Sequence, residues 1–318
     1  MRNKRRGVPA SSAAPGAVLV GNGLNRLSQG LSWDELLLQL ARSAGLLSKG
    51  YELDLGKPLP LLYEEMLLAS PKSRSVERLF RAEVRLFSDQ LQPNALHSTL
   101  LTSSIRHILT TNYDLTLERV LQPGINAFYN EGVIAERRYS TLRHHTLQDR
   151  TFWHIHGDVV NPYSIMLGYD HYAGALQSTR QYVASGPRYG GFTDRSLIAR
   201  MNQRMSIKSW VDLFFLTDVH ILGLNLDFVE MHLWWVLTYR ARKIADGKVI
   251  NGKIRYYVRR PKGIQPTPES DRKHQLLRAL GVDVVEIAVE PDDWHGFYSQ
   301  AIARIGGKGS RRAEGVRP

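Results

Sequence analysis

Three short apolar runs each end in a glycine-rich or polar cluster, and this arrangement constrains the fold of the 318-residue chain more than any other feature. The runs and their clusters are Val18-Leu19-Val20 before Gly21-Asn22-Gly23, Ile108-Leu109 before Thr110-Thr111-Asn112-Tyr113-Asp114, and Thr151-Phe152-Trp153 before His154-Ile155-His156-Gly157-Asp158. Such runs are typical of buried parallel strands. Because ligands of open α/β sheets bind beyond the carboxyl ends of the strands, the three clusters together predict one site.

Strand and helix patterns alternate along most of the chain. Further strands are predicted at 220–222, 253–259 and 282–288, and helical spacing is found in the segments between them. Ser32 and Glu35 have the spacing of a capping box at the start of the first long helix. This alternation predicts an α/β fold with a doubly wound, mostly parallel, Rossmann-like sheet.

The expected organisation is one domain with two extensions. We expect a flexible basic arm at 1–16, a nucleotide-binding domain at 17–305 and a basic tail at 306–318. Within the domain, no strand pattern interrupts 31–104, so a helical insertion is predicted at about 50–104. The many glycines and prolines of 124–206 predict a loop-rich subdomain there.

Composition excludes several classes of protein. The chain has no cysteine, which excludes a disulfide framework, a thiolate zinc site and a cysteine nucleophile. This fits a reducing compartment, and we expect the protein to be cytoplasmic. No uninterrupted apolar stretch approaches the ~20 residues that a membrane span needs.

The formal net charge of +12 is concentrated at the two ends of the chain. The first six residues contribute +4 and residues 308–317 contribute +3, which leaves +5 for the rest. Basic tails bind polyanions or remain simply solvated. Nucleic-acid binding is therefore a minor hypothesis.

The turn Gly21-Asn22-Gly23 follows a strand and precedes a helix, as phosphate-binding turns do. Glycines let backbone N–H groups approach a pyrophosphate, and a helix start adds partial positive charge. The third glycine of the redox dinucleotide fingerprint is replaced by Arg26, which is itself a candidate phosphate contact. A tight turn without a ligand is the alternative.

Asn112 is the sharper candidate, because a carboxamide can donate and accept hydrogen bonds at the same time. It could hold a ribose hydroxyl and a water, or it could cap the next helix. Asp114 could bind a nicotinamide amide or cap the same helix. Thr111 joins the candidate binding residues as part of this segment.

His156 is the candidate general base, since imidazole is suited to proton transfer near neutral pH. Gly157 would allow a ligand to approach the backbone. His154 is expected on the opposite face of the strand, in the core or behind the site. The spacing of the histidines between 144 and 171 matches no ordinary zinc pattern, so no metal is expected.

A fourth glycine turn follows the predicted strand at 220–222. Gly223 and Asn225 are candidates for contacts with the adenosine part of a dinucleotide, and Asp227 could cap the helix that follows.

Read in chain order, these motifs resemble the sirtuin family. The NAD pocket of that family is built from a strand with a Gly-x-Gly turn, a Thr-x-Asn-x-Asp segment and a His-Gly pair. The similar segments of this chain are Gly21 to Gly23, Thr110 to Asp114 and His156-Gly157. Gly223-Leu224-Asn225 resembles the family's glycine–serine element, with asparagine in place of serine.

The chain departs from the deacylating sirtuins because it lacks the four-cysteine zinc ribbon. It is more similar to the sirtuin-like NAD hydrolases of bacterial phage-defence systems, also in Ser-Trp-Asp-Glu-Leu-Leu at 32–37 and in the run at 226–235. This resemblance implies NAD+ as the substrate, hydrolysis through Asn112 and His156, and NAD depletion in an infected cell. It further implies a homo-oligomer and an activating partner protein.

Other functions remain open at this point. The same pocket could belong to a non-catalytic module that senses NAD or ADP-ribose, to an ADP-ribosyltransferase, or to a zinc-free deacylase. Nicotinamide release, labelling of a target and O-acetyl-ADP-ribose formation would separate them.

Overall fold

A seven-stranded sheet forms the centre of the computed structural model of the chain. The structure describes residues 16–29, 33–70, 73–132, 139–186, 188–189, 192–193, 195–201 and 205–307. The sheet strands are β1 (Ala17–Val20), β2 (His107–Thr110), β3 (His145–Leu147), β4 (Arg150–His154), β7 (Val219–Leu222), β8 (Ile254–Pro261) and β9 (Val282–Val289). Strands β5 (Arg188–Tyr189) and β6 (Phe192–Thr193) form a separate hairpin.

The described helices are α1 (Arg26–Gln29), α2 (Trp33–Ser43), α3 (Leu59–Leu68), α4 (Ser73–Gln90), α5 (Ala95–Leu101), α6 (Thr116–Leu121), α7 (Tyr169–Ser185), α8 (Leu197–Met201), α9 (Trp210–Leu216), α10 (Met231–Ala245), α11 (Pro268–Ala279) and α12 (Trp294–Ile305). Short 3-10 turns cover Leu47–Lys49 and Pro162–Ser164. None of the helices in these ranges is both long and apolar enough to cross a membrane.

The strand order β3-β4-β2-β1-β7-β8-β9 confirms the predicted fold class. Six strands are parallel, and only the edge strand β3 runs antiparallel to its neighbour β4. Numbered in chain order, the six parallel strands lie as 3-2-1-4-5-6, which is the doubly wound Rossmann order. The order reverses at β1, between β2 and β7, and this switch point is where such sheets bind ligands.

The two faces of the sheet are covered by different helices. Ala17 and Leu19 of β1 belong to an apolar cluster with side chains of α9, α10 and α11, whereas Val18 and Val20 pack with side chains of α5, α6 and α12. This alternation follows from the two-residue period of a strand. All four β1 side chains are buried, so β1 is the central strand of the core.

Helices α2 to α4, here called the helical cover, pack over the carboxyl ends of two strands. Their apolar cluster includes Leu36 and Phe80 together with Tyr113 after β2 and Val159 after β4. Arg81 of α4 donates hydrogen bonds to the carbonyl oxygens of residues 162 and 165, at 2.6 and 2.9 Å. The helical insertion predicted from the sequence therefore lies over the strand ends where the site was predicted.

The loop-rich interpretation of 124–206 missed the 17-residue helix α7. Its buried face consists mainly of polar and aromatic side chains at helical spacing, which an apolar pattern does not reveal: His171, Tyr172, Ala175, Thr179, Tyr182 and Val183. His171 also accepts the N–H groups of residues 167 and 168, at 2.9 and 3.0 Å. These bonds fix the start of the helix.

Some predictions fall on residues that lie mostly outside the described ranges. These are the basic arm, the basic tail and the capping box of Ser32.

Candidate functional site

The turns after β1 and β7 pack directly on each other. The Gly21 N–H donates to the Leu222 carbonyl oxygen and the Gly23 N–H to that of Gly223, both at 2.9 Å. A Cβ atom on Gly21 would lie 2.5 Å from the Gly223 oxygen, and one on Gly23 would lie 2.1 Å from the Tyr298 hydroxyl. Glycine is thus required for the close approach of two strand ends, and Gly223, at φ +67°, belongs to the same contact.

This packing uses two of the N–H groups that a pyrophosphate would need. A phosphate at the turn would instead contact other groups, and the exposed Arg26 at the start of α1 is placed to provide one. The binding roles of Gly21, Gly23 and Arg26 stay predictions.

Asn25 organises the polar groups beneath this turn. Its Nδ2 donates to Asn22 Oδ1 and to Asp114 Oδ2, both at 2.9 Å, and its Oδ1 lies 3.1 Å from His97 Nε2. Burial lowers the pKa of His97 to about 4, so its imidazole is neutral. Its Nδ1 accepts the Asn94 N–H at 3.1 Å, which leaves Nε2 as the donor to Asn25. Both polar atoms of the Asn25 carboxamide therefore have identified hydrogen-bond partners.

Of the two roles considered for Asp114 from the sequence, the structure shows the one at the start of the next helix. Its Oδ1 accepts the Thr116 N–H at 2.9 Å at the start of α6, as a helix-capping residue does. Its Oδ2 accepts from Asn25. Each carboxylate oxygen has a second lone pair, so Asp114 can still bind a ligand.

The backbone of Asn112 is held on both sides. Its N–H donates to Thr110 Oγ1 at 3.0 Å, and its carbonyl oxygen lies 3.1 Å from His154 Nδ1. Thr110 Oγ1 in turn donates to the Val20 carbonyl oxygen of β1 at 2.9 Å. Asn112 and the adjacent Thr111 are both buried at the end of β2.

A buried ion pair lies behind Asn112. His154 Nε2 is 2.7 Å from Glu118 Oε1, and His145 Nε2 is 3.3 Å from the same oxygen. Burial alone would lower the pKa of His154, but the Glu118 carboxylate raises it to about 9. Burial alone would raise the pKa of Glu118, but His154 and His145 hold it at about 2. A cationic His154 donates from both nitrogens, to Glu118 and to the Asn112 carbonyl oxygen.

Asn22, Asn112 and Asp114 line one cavity beyond the carboxyl ends of β1 and β2. Its other walls come mainly from the helical cover and the segments next to it: Leu36, Phe87, Ser88, Leu91 and Tyr113. The free space is about 20 Å³, room for about one water molecule, whereas small-molecule sites typically measure ~300–1,000 Å³. A dinucleotide can bind here only if the cover moves.

His156 lies at the end of the neighbouring strand β4 and does not line this cavity. Its Nε2 is 3.1 Å from Glu230 Oε2 and 3.2 Å from His232 Nε2, and all three side chains are buried. Burial and the nearby His156 lower the pKa of His232 to about 3. Burial would raise the pKa of Glu230, but His156 and His232 hold it below its ordinary value.

Gly157 and Asn225 have structural partners of their own. Gly157 has φ +87°, and a Cβ atom there would lie 2.3 Å from the Ser164 carbonyl oxygen, so its close neighbour is a protein loop. Asn225 is exposed, and Lys273 Nζ donates to its backbone and side-chain oxygens at 2.8 and 2.9 Å. The structure thus brings Asn22, Asn112, Asp114 and the glycine turns together and places Asn225 apart from their cavity.

The motifs after β2 and β4 lie in a segment that matches a protein-family model. A SIR2-like domain model matches residues 106–197. The SIR2-like segment contains Asn112, Asp114, His156 and Gly157 but neither glycine turn. The match supports a sirtuin-like family and NAD as a ligand, because SIR2-like domains are generally NAD-dependent enzymes. No curated protein matches the chain.

Five buried polar residues of this region were not predicted from the sequence: Asn25, His97, Glu118, Glu230 and His232. Asn25 lies next to the Gly-x-Gly turn, and Glu230 and His232 lie in the run at 226–235, but neither position indicated the contacts that these side chains make. Glu230 and His232 stand at the start of α10, some 75 residues after His156, and no spacing rule connects them with it.

Proposed function

We propose that this protein hydrolyses the nicotinamide–ribose bond of NAD+ and releases nicotinamide and ADP-ribose. The observation that carries the proposal is the meeting of Asn22, Asn112 and Asp114 in one cavity beyond the carboxyl ends of β1 and β2, the central strand and its neighbour. The SIR2-like match over residues 106–197 supports NAD as the molecule bound there.

The reaction needs a stabilised sugar cation and an activated water. As the bond between C1 of the ribose and the pyridinium nitrogen breaks, the electron pair goes to the nitrogen and nicotinamide leaves neutral. Water adds to the oxocarbenium-like carbon and gives up one proton. NAD+ and water thus yield nicotinamide, ADP-ribose and a proton.

Asn112 is proposed to orient the ribose and the attacking water. Its carboxamide can donate to one of them and accept from the other. The bonds from its backbone to Thr110 and His154 hold it in place, and such preorganisation is what positions reactants.

Asp114 is proposed to bind the nicotinamide carboxamide. Its two oxygens already accept from Asn25 and Thr116, which fixes the carboxylate plane. The remaining lone pairs can accept an amide N–H of the leaving group. Arg26 and the turn around Asn22 are proposed to contact the pyrophosphate.

His156 is proposed to accept the proton from water as the general base. The Glu230 carboxylate, 3.1 Å from His156 Nε2, stabilises the imidazolium that forms. Displacing the helical cover, which also packs on the segment after β4, would extend the cavity toward His156. Positioned proton transfer of this kind contributes about 10²–10⁴-fold to rate.

The proposal extends to an NAD-depleting role in bacterial anti-phage defence, in a homo-oligomer activated by a partner protein. Its support is the resemblance of 32–37 and 226–235 to that group, together with a groove on α10. Exposed and half-buried aromatic side chains line this groove, among them Phe228, Trp234 and Trp235. Such a surface is typical of an interface between copies.

Product analysis in H₂¹⁸O tests the reaction class. Hydrolysis predicts equal amounts of nicotinamide and ADP-ribose, with ¹⁸O on the anomeric carbon of the sugar. Attachment of ADP-ribose to a macromolecule would replace the proposal with a transferase. The absence of His156 from the cavity wall favours a second candidate, a sensing module, whose result would be NAD binding without any nicotinamide release.

A further inference from the structure

Three potential metal ligands converge beside the proposed NAD site. His156 Nε2, Glu230 Oε2 and His232 Nε2 all lie within 4.8 Å of one another. His156 Nε2 is 3.1 Å from the Glu230 oxygen and 3.2 Å from the His232 nitrogen. They come from the end of β4 and the start of α10, so the fold assembles the group from distant parts of the chain.

The separations fit a shared cation. Zinc binds imidazole nitrogen and carboxylate oxygen at about 2.0–2.2 Å. Two ligands at these lengths, at tetrahedral to octahedral angles, lie about 2.8–3.6 Å apart. The measured 3.1 and 3.2 Å fall within this interval.

The protein alone does not satisfy these groups. Glu230 Oε2 is buried and makes no hydrogen bond of good geometry, although His156 Nε2 lies 3.1 Å away, and His232 Nδ1 is buried without a partner. A buried carboxylate oxygen without a partner is costly, and a cation between the three atoms would remove that cost. Aromatic rings enclose the group: the ring centroid of Tyr172 lies 5.4 Å from that of His156, and the ring centroid of Trp210 lies 6.0 Å from that of His232.

We propose that His156, Glu230 and His232 bind a divalent transition-metal cation, with Zn²⁺ as the best match. Two neutral imidazoles and one carboxylate carry a net charge of −1, which suits a divalent ion, and the same donor set occurs in zinc and non-haem iron sites. The expectation of no metal was drawn from the spacing of the histidines between 144 and 171, which includes neither Glu230 nor His232.

The bound cation would inhibit the proposed hydrolase. A His156 Nε2 lone pair that coordinates Zn²⁺ cannot accept a proton from water. This consequence rests on the proposed function, whereas the metal site itself rests on the geometry of the three side chains. Zn²⁺ would therefore act as an inhibitor that competes for the general base.

The test uses the full chain without an affinity tag, stripped with a chelator and then dialysed to equilibrium against ZnCl₂. Elemental analysis should find one Zn²⁺ per chain. His232→Gln should weaken Zn²⁺ binding by more than the about 10–100-fold that loss of an outer-shell partner costs. His295→Gln, at an exposed histidine, is the matched control and should bind like the wild type.

Glu230→Gln provides a second variant of nearly unchanged shape should His232→Gln fail to fold. Absence of bound Zn²⁺ in the wild type, or equal affinity in the wild type and both variants, would overturn the metal site. Zn²⁺ binding by a protein whose chelator-stripped form releases no nicotinamide would leave the metal site standing and overturn the hydrolase. Turnover that is unchanged or higher in the zinc-loaded protein would overturn the inhibitory role.

Discussion

The imidazole of His154 donates from Nδ1 to the backbone carbonyl oxygen of Asn112, 3.1 Å away. Its other nitrogen lies 2.7 Å from the buried Glu118 carboxylate. A charge pair in the core thereby fixes the backbone of the residue proposed to orient ribose and water.

Glu118→Gln should destabilise the fold strongly. The substitution leaves His154 without its counter-charge in a buried site, and losing one partner of such a pair costs about 3–5 kcal/mol. Asp89→Asn is the matched control, because Asp89 pairs with the adjacent Arg119 at 3.0 Å but is half exposed. That surface pair should contribute about 0–1 kcal/mol. Urea unfolding measures both, and equal losses would mean that the Glu118 pair is not special.

Stability should fall as pH rises from 6.5 to 9. The folded-state pKa of His154 is about 9, above its ordinary value of 6.5, because of Glu118. The stabilisation is therefore fully present below pH 6.5 and is lost as pH rises through 9, with a slope of at most about 1.4 kcal/mol per pH unit. Unfolding free energies across this range should show the slope in the wild type. If Glu118→Gln shows the same slope, the pair is not its cause.

Asn25→Asp should damage both stability and turnover. The new carboxylate cannot donate to Asn22 and would face the Asp114 carboxylate, which now accepts from Asn25 at 2.9 Å. A buried polar group left without its partner costs about 1–3 kcal/mol. Asn251→Asp makes the same change at an exposed asparagine. Chemical denaturation and nicotinamide release should both separate the two variants, and equal behaviour would remove Asn25 from the site.

Phe87→Ala should make the cavity more accessible to NAD. Phe87 is a half-buried wall residue of α4, and its truncation weakens the contact between the helical cover and the strand ends. A loss of ~1.4 kcal/mol in the closed state raises the open population, and hence the apparent NAD affinity, about tenfold. Leu86→Ala, one residue earlier and 60% exposed, should leave the affinity unchanged. Calorimetric titration distinguishes these outcomes, and an unchanged affinity in Phe87→Ala would mean that the cover does not control access.

The sheet was predictable because its strands are short apolar runs bounded by glycine or polar residues. β2 spans His107–Thr110 and so contains the predicted run Ile108-Leu109, and the clusters after β1 and β2 meet at one edge of the sheet. Asn112 and Asp114 could be found since both follow a strand directly. Their position just after a strand can be read from the local sequence alone.

The partners of these residues could not be found in this way. His232 and Glu230 reach His156 only through the packing of α10, and His97 reaches Asn25 only through α5. Helix α7 was missed because its buried side chains are mainly polar or aromatic. Such contacts depend on tertiary packing, which periodicity does not encode.

Nicotinamide release from NAD+ by the wild type, Asn112→Ala and His156→Ala tests the central claim most directly, with NAD binding followed by calorimetry. The wild type should release nicotinamide, and His156→Ala should be slower by about 10²–10⁴-fold while binding NAD with similar affinity. Asn112→Ala should also lose turnover, and His295→Ala should not. Wild-type turnover in either active-site variant, or NAD binding by the wild type without any release, would contradict the proposed hydrolase.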